Sequence, residues 1–238
     1  MRTARFVIQV LGWAVGIPLL ILAIAALLRG RGYRRYPVVF IYLLVSFAAT
    51  LVNIPIGTQS YFTHDVAIAA KVNWINSWIL EVLIFATVLN LIDEAISISR
   101  WRRILRVVLA TGVLLFAGFD FWIQYLPPPV KFGVWLTAWI GHLSLLATVL
   151  DLALWMILIA SRKGDGRLLL ICGALGMQFT AEVIGAQIVG MSVPRRSIAL
   201  GTAGAVVAVA GNLICLYVWW QTFRSMRDVT PARPLAAQ

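Results

Sequence analysis

Seven long apolar stretches occupy almost the whole of this chain, and only short polar connections separate them. A helix of about 20 apolar residues is long enough to cross the hydrocarbon core of a bilayer. Within that core the backbone must satisfy its own hydrogen bonds, which favours helices. The sequence therefore predicts an all-α, polytopic integral membrane protein with seven transmembrane helices. The predicted spans are residues 6–28, 37–56, 74–98, 104–125, 133–160, 168–191 and 198–223.

The composition agrees with this fold class and limits the domain organisation. Only 12% of the residues are charged, against roughly a quarter in a soluble domain. We expect one seven-helix bundle over residues 1–223 and a short, Pro-containing, disordered cytoplasmic tail over 224–238. A competing interpretation makes the first span a cleavable signal, because Ala23-Ile24-Ala25 resembles a cleavage site. The length of that span and the heavier basic cluster after it argue against cleavage.

The distribution of basic residues predicts the orientation of the bundle in the membrane. One side holds 14 of the 20 Lys and Arg residues, in the connections at 29–35, 100–106 and 162–167 and in the tail from 224. Basic connections stay on the cytoplasmic side of a membrane. We therefore expect the N-terminus outside, the C-terminus in the cytoplasm and a multi-pass location in the cell inner membrane. The same arginine loops should contact anionic lipid headgroups.

Three residue types near the span ends and within the spans have structural interpretations. Tryptophans cluster near the predicted span ends, Trp219 and Trp220 among them, where indole rings usually lie at the headgroup interface. Glycine-rich stretches such as Gly201–Gly204–Gly211 allow helices to approach closely. Cys172 and Cys215 lie inside spans and are interpreted as small buried side chains.

The third and fifth predicted spans resemble each other at a constant offset of 61 residues. Trp74, Trp78 and Glu81 correspond to Trp135, Trp139 and His142, and Ala-Thr-Val-Leu recurs at 86–89 and 147–150. One interpretation is a duplicated two-helix unit, as in transporters built from parallel repeats. The other is chance similarity among apolar segments that share tryptophans near their ends.

Ionisable residues inside the spans mark the candidate site, because such side chains are costly in a membrane and usually face the bundle interior. Helical spacing places Trp78 with Glu81, and Trp139 with His142, on single helix faces. The predicted ligand-binding set in the outer half is Glu81, His142, Glu182, Asp120, Trp78 and Trp139. Carboxylates beside indole faces suit an organic cation, and a Glu–His pair suits a proton relay. The alternative is an interhelical hydrogen bond that only fixes packing.

A second group of polar residues lies deeper, toward the predicted cytoplasmic side. Asp151 has no obvious partner in the sequence, and Gln178 and Asn212 are the candidates to donate hydrogen bonds to it. The three residues together predict an inner polar layer.

Several classes of protein are excluded or disfavoured by missing residues. The chain resembles a microbial rhodopsin only in its seven-helix outline, because no lysine lies in any predicted span to hold retinal, and no cofactor is expected. Small seven-helix sugar transporters are also similar in outline, but the Pro-Gln motif of one branch is absent. No hydrolase, nucleotide-binding or metal-ligand motif occurs, so an enzyme is the less favoured class. Despite the net charge of +11 there is no basic domain outside the spans to bind nucleic acid.

Two functions from different classes remain. The first is a small transporter or receptor-like protein that binds a ligand or a proton in an acidic, Trp-lined pocket in the outer half. The second is a non-catalytic membrane subunit that holds a partner protein or a second copy of itself.

Overall fold

The computed structural model describes residues 2–63, 67–96, 107, 111–112, 114–116, 118–119, 122, 132–160, 166–195 and 197–225. Within these residues the structure is helical, without strands. The helices are α1 (Arg2–Arg29), α2 (Pro37–Thr63), α3 (Ala67–Ile96), α4 (Phe132–Ala160), α5 (Gly166–Arg195) and α6 (Ile198–Arg224). A short 3₁₀ turn, Gly32–Arg34, joins α1 to α2.

Five of these helices are long and apolar enough to cross a membrane, which confirms the prediction of a helical membrane protein. Their apolar segments are Phe6–Arg29, Pro37–Gln59, Lys71–Ala95, Gly166–Met191 and Ile198–Arg224. Helix α4 contains a shorter apolar segment, His142–Met156. Five of the seven predicted spans fall within described helices, and a sixth, 74–98, does so as far as Ile96. Most of the predicted span 104–125 lies outside the described residues.

Local sequence signals explain several helix ends. Arg31 adopts a left-handed conformation (φ 52°), which reverses the chain after α1, and α2 then begins at a proline, the residue best suited to a first helical position. At the other hairpin Ser197 caps α6 and accepts a hydrogen bond from the backbone N–H of Leu200 at 3.4 Å. Short connections of this kind force sequence neighbours to pack side by side.

The described helices form a ring that follows the chain order. Each helix packs against the next along the chain, and α6 returns to pack against α1. Helix α3 also contacts α5 directly, so side chains from these two helices meet inside the ring. The ring thus brings residues about 100 positions apart in the sequence into one interior.

The closest helix contact lies between α5 and α6, and glycines make it possible. A Cβ atom added at Gly185 would lie 2.6 Å from the carbonyl oxygen of Gly204 and 3.1 Å from the Cβ of Ala208. A Cβ added at Gly211 would overlap that of Ala181. The backbones of α5 and α6 therefore touch, as expected where small residues drive helix packing in membranes. The glycine-rich stretch of the last predicted span serves this contact.

Polar contacts identify one end of the bundle. The guanidinium of Arg35, just before α2, donates to the Glu94 carboxylate near the end of α3 at 3.0 Å. Arg167, at the start of α5, donates to the backbone oxygen of Ser225 after α6 at 3.4 Å. Because these helix ends carry most of the arginines of the described chain, we name this the basic end.

Helix α4 also ends at the basic end. Cβ atoms added at Gly173 and Gly176 would lie 3.2 Å from the Trp155 indole and 3.1 Å from the Asp151 carboxylate, so α4 and α5 run antiparallel. Helix α3 and helix α4 therefore run in the same direction. Helix α4 therefore begins at the end of the bundle opposite to that at which α3 ends.

The core near the basic end is aromatic, and it corrects one expectation. Trp219 is completely buried, although its position near a span end predicted an interfacial residue. Its indole N–H donates to the backbone oxygen of Ile171 at 3.1 Å, and its ring meets that of Tyr42 edge-on with centroids 5.8 Å apart. A buried indole whose N–H has a partner costs little to bury, so Trp219 ties α6 to α5 and α2.

A pair of glycine substitutions on α5 tests the close contact with α6. Gly185→Ala should lower the free energy of unfolding in detergent by about 1–3 kcal/mol, because the new methyl group meets the backbone of Gly204. Gly190→Ala is the matched control, since nothing lies within 4 Å of a Cβ at that position. Equal stabilities of the two variants would contradict the contact.

Candidate functional site

Two glutamates from non-adjacent helices meet inside the ring. Glu81 on α3 and Glu182 on α5 lie close enough for their charges to interact. Glu81 is roughly 15 Å from the Lys71 end of its apolar segment and Glu182 roughly 14 Å from the Met191 end, at 1.5 Å per residue. The two carboxyl groups therefore lie at a similar depth. We call them the carboxyl pair.

Neutral polar side chains surround the carboxyl pair. The Gln178 amide, one turn from Glu182 on α5, donates to a carboxylate oxygen of Glu182 at 2.9 Å. The hydroxyl of Tyr42 on α2 lies within hydrogen-bonding reach of Gln178. Gln178 and Tyr42 are only 4% and 6% exposed. One oxygen of Glu81 is buried without a hydrogen-bond partner among the described residues, so the pair retains unused acceptor capacity.

Asp151 on α4 is the third buried carboxyl group. Its side chain is 1% exposed, and within the described chain neither carboxylate oxygen has a hydrogen-bond partner. It packs against Gly176, six residues from Glu182 and so roughly 9 Å nearer the basic end. The Cys215 thiol on α6 lies within electrostatic range of both Glu182 and Asp151. The three carboxyl groups therefore occupy two levels of one acidic interior.

Cations are scarce at this depth. On the described helices every lysine and arginine lies within four residues of a helix end. Nor do the described residues include a group of three or more His, Cys, Asp or Glu side chains that could hold a metal ion. In surroundings of low dielectric, neighbouring carboxylates without a basic partner are strongly disfavoured as a doubly charged pair. The arrangement is chemically suited to take up a proton.

The structure brings together some of the sequence-predicted site residues and separates others. Glu81, Glu182 and Gln178 lie together, but Gln178 donates to Glu182 where the sequence favoured Asp151 as its acceptor. Asn212 lines a cavity beside α1 and α2. Of the predicted inner layer, Asp151 and Gln178 therefore lie in the acidic interior at two levels, and Asn212 lies at the cavity.

The remaining predicted site residues lie toward the bundle surface or outside what is described. His142 on α4 has an exposed side chain, and Trp78 on α3 is 39% exposed. Trp139 lies on α4, and its side chain is outside the described part, as is the whole of Asp120. The aromatic lining expected around Glu81 is therefore represented by Tyr42, not by Trp78.

Tyr42 and Cys215 are not among the site residues that the sequence predicts. The sequence did offer one indication for Tyr42, since its hydroxyl group lies within the apolar segment Pro37–Gln59. In such a segment a hydroxyl group commonly forms a hydrogen bond with another helix. Its partner lies 136 positions away, and only helix packing identifies it. Cys215 has no polar neighbour in the sequence that would suggest a place beside carboxyl groups.

The fold and this interior define an all-helical, membrane-type bundle with an acidic centre. Comparisons of the chain with protein-family models, with curated proteins and with solved structures give no match. The function must therefore be argued from the site itself.

Replacement of Gln178 tests the hydrogen bonding around the carboxyl pair. Gln178→Leu should lower the free energy of unfolding by about 1–3 kcal/mol, because the buried oxygen of Glu182 loses its donor. Gln187→Leu, at an exposed position of the same helix, should change it by less than about 0.5 kcal/mol. Thermal or chemical unfolding in detergent measures both values, and an unchanged Gln178→Leu variant would contradict the assigned role of this amide.

Proposed function

We propose that this chain is a small multi-pass inner-membrane protein of transporter or receptor-like type that binds a proton at the carboxyl pair Glu81–Glu182. The observation that carries the proposal is that two carboxyl groups, from α3 and α5, lie within electrostatic range of each other at a similar depth. Intramembrane ionisable groups commonly belong to ion pathways or proton relays. The pair shares one proton, because two adjacent negative charges are unfavourable in the apolar interior.

The surrounding side chains favour a proton over a larger cation. Gln178 and Tyr42 pack against the pair, and both are nearly fully buried. An organic cation also needs aromatic faces around its charge, whereas Trp78 lies at the bundle surface. A proton needs only an acceptor oxygen, and Glu81 has one without a partner in the described chain.

The proposed arrangement in the membrane has seven spans, with the basic end in the cytoplasm. Support comes from the parallel directions of α3 and α4, which require the chain to return between Ile96 and Phe132. This connection of 35 residues exceeds the length of about 20 that one more crossing needs. The arginines at the basic end would then meet anionic lipid headgroups on the cytoplasmic face.

Infrared titration of the purified protein tests proton binding without knowledge of any transported solute. A protonated carboxyl group has a C=O band that the carboxylate lacks. We expect a titrating band in the wild type that both Glu81→Gln and Glu182→Gln change, because coupled groups titrate as a pair. Glu94→Gln is the matched control, since Glu94 is ion-paired with Arg35 at the basic end, and it should leave the band unchanged.

Reconstituted vesicles test whether the bound proton moves. With a pH-sensitive dye inside, a transporter should show flux that either variant of the pair reduces at least tenfold while Glu94→Gln retains it. Melting temperatures of all variants establish that they are folded. A folded Glu182→Gln variant with an unchanged infrared titration would refute the proposal and favour the partner-holding subunit. A titrating band without flux would favour a receptor-like protein.

A further inference from the structure

A cavity lies between α1, α2 and α6. Its volume is about 210 Å³. Polar side chains reach it from all three helices: Gln9 and Trp13 on α1, Ser46 and Thr50 on α2, and Asn212 on α6. Gln9 and Asn212 are exposed, so the cavity opens to the surface of the bundle between α1 and α6.

The chemistry of the lining is uncharged. No acidic or basic side chain belongs to the described lining. The Thr50 hydroxyl donates to the backbone oxygen of Ser46 at 2.8 Å, which leaves the Thr50 oxygen as an acceptor. Gln9 and Asn212 each offer an amide donor and an amide acceptor. An apolar wall that includes Leu20 and Leu216 completes the cavity.

The packing of α1 against its neighbours accounts for the open space. A Cβ atom at Gly57 on α2 would lie 2.9 Å from the Trp13 ring. The absence of a side chain at Gly57 lets this ring lie against α2. Gly16 on α1 lines the cavity without a side chain to fill it. The Trp13 ring therefore forms one wall of the cavity.

The volume limits the size of an occupant. An apolar cavity of about 150 Å³ holds a benzene molecule, so about 210 Å³ accommodates a single ring with a small polar substituent. A charged ligand would be unfavourable, because no lining group of opposite charge would offset its desolvation. An uncharged molecule would also reach the opening through the bilayer at little cost.

We propose that this cavity is a binding site for an uncharged molecule, about one ring in size, that carries both a hydrogen-bond donor and an acceptor. Gln9 and Asn212 supply the polar contacts of the site, and the Trp13 ring packs against the flat face. The described lining residues of the cavity are distinct from the residues around the carboxyl pair, and none of them is titratable.

Equilibrium dialysis of the purified full-length protein tests the site with matched probes. Benzamide carries a ring and an uncharged amide, whereas benzoate and benzylammonium have the same size and a charge, and toluene has the ring alone. We expect benzamide to bind at least tenfold more tightly than the other three. Asn212→Leu and, on another helix, Gln9→Leu should each weaken benzamide binding about tenfold, the effect of one lost hydrogen bond. Gln187→Leu, outside the cavity, should not.

The two cavity variants keep the test decisive, because either one suffices if the other fails to fold. Absence of benzamide binding to the wild type would overturn the proposal. So would equal binding of toluene or of the charged probes, or unchanged binding to a folded Asn212→Leu variant. A lipid that remains bound after purification and is not displaced by benzamide would overturn it as well. Retained benzamide binding in Glu182→Gln would show that the two sites are separate.

Discussion

The absence of competing water in the apolar middle of a membrane governs this structure. Polar atoms there must find partners within the protein or remain unsatisfied at a cost. Most hydroxyls of the described helices meet this constraint locally, as Thr87 does by donating to the backbone oxygen of Leu83 at 2.8 Å. The Trp219 indole meets it across helices, by donating to Ile171. Against this background, buried oxygens of Glu81 and Asp151 stand out, because they have no hydrogen-bond partner in the described part of the chain. Polar groups without a hydrogen-bond partner are the natural candidates for a function, because the fold provides partners for so many others.

The contact between α5 and α6 places these groups. Glycines at 185, 204 and 211 let the two backbones touch, which fixes the rotation of α5 about its axis. That rotation turns Glu182 and Gln178 toward α3 and α2, where Glu81 and Tyr42 lie. Helix α6 also packs against α1, and there Asn212 contributes to the uncharged cavity. The closely packed pair thus contributes Glu182 and Gln178 to the acidic interior and Asn212 to the cavity.

The acidic interior has two levels, and this arrangement has a consequence for its chemistry. The carboxyl pair lies at one level, and Asp151 lies roughly 9 Å nearer the basic end. A proton passing between the two levels would require an intermediate group or a movement of the helices. The Cys215 thiol lies within electrostatic range of Glu182 and Asp151. Glu81 and Asp151 lie on α3 and α4, which run in the same direction.

The sequence alone determined the class of helical membrane protein. A long apolar stretch that forms a helix is long enough to cross the bilayer, and the helix satisfies the hydrogen bonds of its own backbone. It also marked Glu81, Glu182 and Asp151, since ionisable residues are conspicuous in apolar segments. The tertiary structure decided which of them meet. Helical periodicity places Trp78 on the face of Glu81, yet Trp78 is 39% exposed, because a periodic pattern defines a face without saying where that face points. Tyr42 and Gln178 meet across 136 positions through the packing of α2 and α5. Such pairings depend on the rotation of each helix about its axis. Small residues at the helix contacts determine this rotation, and the apolar composition of the chain does not.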